Sequence, residues 1–176
     1  MTEPATSLEF SRPQVISSDM GAGEEARNFT IEADATERAA LAQRFGLLGL
    51  DSLKAQGQVE VFARGRRARV TASLSADVVQ ACVVTLGPVA AHVEDSFVRA
   101  FDCDAGMDTG EAEFYLDSED PPDPLPEAGI DLGEVVAEQL GLALDPYPRA
   151  PGAAAPAVEE SPRETPFSAL KRLKDR

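Results

Sequence analysis

The feature that most limits how this chain can fold is a pair of alternating runs around a short arginine-rich loop. Val59 and Val61 alternate with polar neighbours. Val70, Ala72 and Leu74 alternate with Arg69, Thr71 and Ser73. A period of two puts one set of side chains on one face of a strand. Between the runs lies Ala63-Arg64-Gly65-Arg66. Two such runs around a glycine-containing loop predict a β-hairpin. Its apolar face then needs a cover from other elements.

Other segments extend the pattern in both directions. Leu8 and Phe10, followed by Val15 and Ile16, predict a short first strand, with a turn through residues 20–23. Phe29 and Ile31 alternate with Asn28, Thr30 and Glu32, which predicts a second strand. Residues 78–86 are almost all apolar, as in a strand buried on both faces. Gly87-Pro88 breaks that run. Beyond it Val89, Ala91, Val93, Phe97 and Phe101 share one side of a further strand, with Asp95 and Arg99 as the exceptions.

Two helices are marked by their ends. Asp34 is placed as an N-cap, Glu37 stands where it returns a hydrogen bond, and Gly46 is placed as a left-handed stop. Leu41, Phe45 and Leu48 give that helix one apolar face. A second helix begins near Asp131. Leu132, Val135, Val136, Leu140, Ala143 and Leu144 form its broad apolar face, Glu134 and Glu138 lie opposite, and Pro146 and Pro148 end it. The expected fold class is α+β: an antiparallel, barrel-like sheet of about six strands with two packed helices and a short C-terminal helix.

Charge divides the chain unevenly. The net charge is −15, and residues 102–127 hold ten acids and no base. Residues 1–148 are expected to form one domain that carries this stretch as a flexible acidic insert, with a strand-like run at 113–116 and an extended Pro121-Pro122-Asp123-Pro124 segment. Residues 149–165, rich in Ala, Pro and Glu, read as a disordered linker. Residues 166–176 read as a basic amphipathic helix capped by Thr165, with Phe167, Leu170 and Leu173 on one face.

Chemistry finds little purchase. Cys82 and Cys103 make no disulfide framework and suit a reducing compartment. The opening residues lack the basic start and apolar run of a secretory signal, and residues 78–93 are too short to span a bilayer. A cytoplasmic chain is expected. His92 is the one histidine, and a hydrolase pairing Cys82 with His92 has no supporting motif. Asp102, Asp104, Asp108 and Glu113 fall at positions 1, 3, 7 and 12 of a calcium-loop register, but Met107 stands where that loop needs glycine. No phosphate-binding loop is present. No catalytic residue, metal, cofactor, membrane or small-molecule substrate is expected.

What remains is binding. Arg64, Arg66, Arg67 and Arg69 crowd the hairpin tip, and Lys171, Arg172 and Lys174 lie in the tail. Arginine forks suit phosphate, so these are the RNA-binding candidates. A solvated, charged turn is the alternative. The tail helix could equally dock on a protein.

The order of motifs resembles the YceD family of large ribosomal RNA subunit accumulation proteins, in its alphaproteobacterial form. The resemblance rests on residues 9–13 (EFSRP), 37–42 with 45–47, 80–86 (QACVVTL), 130–140 (IDLGEVVAEQL), 142–148 (LALDPYP) and 166–171 (PFSALK). Its motif residues here are Cys82, Asp131, Leu132, Glu138, Leu144, Pro146, Pro148, Phe167 and Leu170. Many relatives carry Cys-x-x-Cys where this chain has Cys82-Val83-Val84-Thr85. Thr85 replaces the second thiol, which removes the ligand pair of a zinc site. The resemblance implies a non-enzymatic accessory role in synthesis, processing or stability of large-subunit ribosomal RNA. The expected partner is precursor RNA, a basic ribosomal protein, or both. An acidic protein-interaction or chaperone-like module unrelated to RNA is the alternative.

Overall fold

The computed structural model describes residues 9–16, 25–105 and 121–154. Its elements are β1 (Pro13–Gln14), β2 (Glu25–Glu32), α1 (Ala35–Phe45), β3 (Gly49–Phe62), β4 (Arg67–Ala81), β5 (Pro88–Asp102), β6 (Asp123–Pro124), β7 (Ile130–Asp131) and α2 (Leu132–Ala143). A single helical turn, Ala63–Gly65, joins β3 to β4. The fold is α+β, as expected.

The sheet departs from the expected barrel. It is an open five-stranded sheet in the order β2-β3-β4-β5-β6, beside a separate two-stranded sheet of β1 and β7. β2 to β5 form an antiparallel meander, and β6 runs parallel to β5. A barrel closes only when its first and last strands pair. Here β2 and β6 stand at opposite edges.

The hairpin is longer than its two alternating runs. β3 spans 14 residues, and β4 and β5 span 15 each. Residues 78–86 are not a separate buried strand. β4 runs unbroken through Ser75 and Asp77 to Ala81, because its alternation holds: Val70, Ala72, Leu74, Ala76 and Val78 are buried while the residues between them face outward. Residues 82–87 then turn the chain, and Cys82 N–H donates to the Gly87 carbonyl. Near the middle of β3, Gly57 admits no side chain. A Cβ there would lie 2.3 Å from the Thr71 carbonyl oxygen and 2.6 Å from the Ala72 Cβ.

The helices cover the apolar face of this sheet. α1 is bounded as its sequence predicts. Asp34 accepts from the backbone N–H groups of Thr36 and Glu37, Glu37 returns a bond to the Asp34 N–H, and Gly46 sits at φ 65°. Leu41 is buried, but Leu48 lies beyond the Gly46 stop and is exposed. α2 buries Leu132, Val135, Val136, Ala137 and Leu140. The expected N-terminal strand reduces to Pro13–Gln14, paired with β7. Phe10 is buried without belonging to a strand. Among the described residues no helix is long and apolar enough to cross a membrane.

Candidate binding surface

The four arginines of the hairpin tip do not present one free cluster. Ala63, Arg64 and Gly65 all take positive φ, which makes the tight turn. Arg66 Nη2 then donates to both carboxylate oxygens of Asp104, at 2.6 and 2.7 Å. Arg67 Nε donates to Asp102 at 2.7 Å. Asp102 is the last residue of β5, so the acidic stretch begins inside the sheet, directly across from Arg67. The Asp102 carboxylate is almost fully buried. The Asp104 N–H holds its pKa below the usual range, and Arg67 adds to this against the cost of burial. Arg69 lies over the Phe62 ring at 5.7 Å, with Glu60 across the ladder. Among the described residues neither Arg64 nor Arg69 has an ion pair. Lys171, Arg172, Lys174, Phe167 and Leu170 lie outside the described residues, as do the strand-like run at 113–116 and the calcium-loop positions Asp108 and Glu113.

The motif residues that are described build two latches. In the first, Asp131 caps α2 by accepting from the Gly133 and Glu134 N–H groups. The same carboxylate takes the Arg12 N–H at 2.7 Å and the Ser11 hydroxyl. Leu132 N–H donates to the Arg12 carbonyl. Arg12 in turn holds Glu37 of α1 with two bonds of 2.7 and 3.0 Å. That bond is the main cause of the lowered Glu37 pKa. Gly133 completes the fit, since a Cβ there would meet the Phe10 carbonyl oxygen at 2.2 Å. Two carboxylates, Asp131 at α2 and Glu37 on α1, therefore fasten the N-terminal segment to both helices.

The second latch is at the far end of β4. Cys82 has no exposure. Its Sγ accepts from the backbone N–H groups of Ala150 at 3.3 Å and of Thr85 and Val84 at 3.4 Å. Pro148, also buried, accepts the Val83 N–H at 2.9 Å. Gln80 reaches the Asp145 carbonyl. The Ala150 N–H, then the Thr85 hydroxyl and N–H, pull the Cys82 thiol down to about 6, against the cost of burial. Thr85 thus stabilises the sulfur through both its hydroxyl and its N–H. Leu144 is half-buried against the core, Pro146 is exposed, and Glu138 pairs with Arg99 at 2.8 Å.

The remaining chemical candidates stay apart. His92 is exposed on β5, its Nδ1 2.7 Å from Asp77. In the ladder His92 faces Asp77, whereas Ala81, beside Cys82, faces Pro88. Four register steps, about 13 Å, separate the two sites. Among the described residues no three His, Cys, Asp or Glu side chains converge as a metal site.

Sequence reasoning missed the three arginines that hold the molecule together. Arg12 has the role described above. Arg44 forks onto Glu134 at 2.9 and 2.7 Å, joining α1 to α2. Arg99 joins β5 to Asp123 of β6 and to Glu138 of α2. Arg12 stood within the motif at 9–13, and Arg99, with Asp95, stood out as a charge on an apolar strand side, but neither showed its partner.

The described residues thus form an open sheet with two helices packed on one face. The family model described as Large ribosomal RNA subunit accumulation protein YceD matches residues 70–174, and the chain belongs to that family. No curated protein and no solved structure matches it.

Proposed function

We propose that the protein supports accumulation of large-subunit ribosomal RNA as a non-catalytic accessory factor that holds a basic ribosomal protein. The family supports the ribosomal role. The partner is argued from one observation: Arg66 and Arg67 are already neutralised by Asp104 and Asp102. An RNA phosphate at the tip would have to displace those carboxylates and approach a chain of net charge −15. A cationic protein meets no such barrier. The alphaproteobacterial form of the family is part of the same reading, and it rests on the order of motifs from residues 9–13 to 166–171.

A second reading keeps RNA as the partner, through Arg64 and Arg69, which have no ion pair among the described residues. The two readings separate in one binding series. Purified chain is tested against purified large-subunit ribosomal proteins and against precursor RNA. Binding to a ribosomal protein that survives nuclease supports the first. Binding to RNA alone, with a salt dependence that flattens when all four hairpin arginines become alanine, refutes it.

A further inference from the structure

We infer that the open edge of β5 takes up an extended basic segment of a ribosomal protein as an added strand. The inference rests on the proposed function and names the surface that would carry it.

β5 pairs with β4 along its whole length, from Pro88 to Asp102. On its other side, among the described residues, only Phe101 and Asp102 are paired, with Asp123 and Pro124. Among the described residues, alternate positions of 88–100 therefore turn N–H and C=O groups outward with no strand beside them. Such an edge is a template for another chain, and proteins usually cover it or shorten it. This one is thirteen residues long, and it has a groove beside it.

The groove has a volume of about 1250 Å³ and runs between β5, the C-terminal half of α2 and the segment at Pro121. Val98 on β5 and Leu142 on α2 are both exposed there, at 62% and 77%. They offer apolar contact on either side of an incoming backbone. Arg99 braces the walls through Asp123 and Glu138, so its charge is already compensated.

Charge selects the occupant. Further along β5 stand Glu94 and Asp95, and the groove itself holds Glu60, Asp123 and Glu138 against Arg69 and Arg99. A basic segment is attracted, whereas a nucleic acid backbone has no ladder to pair with and meets negative charge. Strand addition also suits a loose partner: main-chain bonds supply affinity, and alternate side chains supply selectivity.

The test uses the full chain and synthetic peptides tiling the basic extensions of large-subunit ribosomal proteins, followed by hydrogen exchange. A bound peptide is expected to slow amide exchange within residues 88–100. The double variant Val98→Lys, Leu142→Lys is expected to bind about tenfold or more weakly with an unchanged thermal midpoint. Protection confined to β2 or to residues 63–69, or unchanged affinity in the variant, overturns the inference. If intact ribosomal proteins bind without protecting β5, the inference falls and the proposed function stands. If only RNA binds, both fall.

Discussion

Single side chains in this protein do more than one job, and Asp131 shows it best. Its carboxylate both caps α2 and anchors Ser11 and Arg12. Asp131→Ala should cost about 1–2 kcal/mol for the cap alone, and more once the N-terminal segment is freed. Asp131→Asn, which keeps an acceptor oxygen, should recover much of it. Urea midpoints measure both; a loss below about 0.5 kcal/mol, the level of ordinary surface substitutions, would remove the latch. Cys82 supplies the second case. Its folded thiol titrates near 6, against an ordinary value of 9.0. Between those values the unfolded chain binds the extra proton, so this contribution to stability rises with pH and is lost as pH falls through 6. The stability gap between wild type and Cys82→Ala should widen from about pH 5 to about pH 9. A gap that stays flat would mean the sulfur is not a thiolate.

Among the elements, legibility followed the length of the pattern. The β3–β4 hairpin repeats its alternation over many residues, and Asp34, Glu37, Gly46 and Asp131 mark helix ends by local chemistry, so each was readable. β6 and β7 have two residues each, too few for any period. Their pairing depends on Arg99, Arg12 and the approach of distant chain. The same limit hid the hairpin's charge balance. The arginines were visible, but Asp102 and Asp104 lie 35 and 38 residues from their partners. At the junction of α2 with the N-terminal segment, Gly133→Ala offers a clean test. Alanine is the better helix former by about 1 kcal/mol. Yet its Cβ would press on the Phe10 carbonyl, and overpacking typically costs about 1–3 kcal/mol. Net destabilisation, read by thermal melting with faster exchange in residues 9–16, is the expected result. A gain in stability would show that the contact is not tight.

For the molecule as a whole, the placement of charge is what matters. Outside residues 102–127 the chain is only mildly negative, with 21 acids against 16 bases by subtraction of ten acids from 31. The structure then places the start of the acidic stretch against the hairpin arginines. It leaves a long strand edge open on the side where the acidic stretch rejoins the sheet through β6. These features fit a scaffold that receives a cationic chain. The most direct measurement is crosslinking in cells followed by identification of every RNA and protein joined to the chain. The expected result is a large-subunit ribosomal protein joined at β5, persisting after nuclease. Precursor ribosomal RNA joined at residues 64–69, with no ribosomal protein, would contradict it.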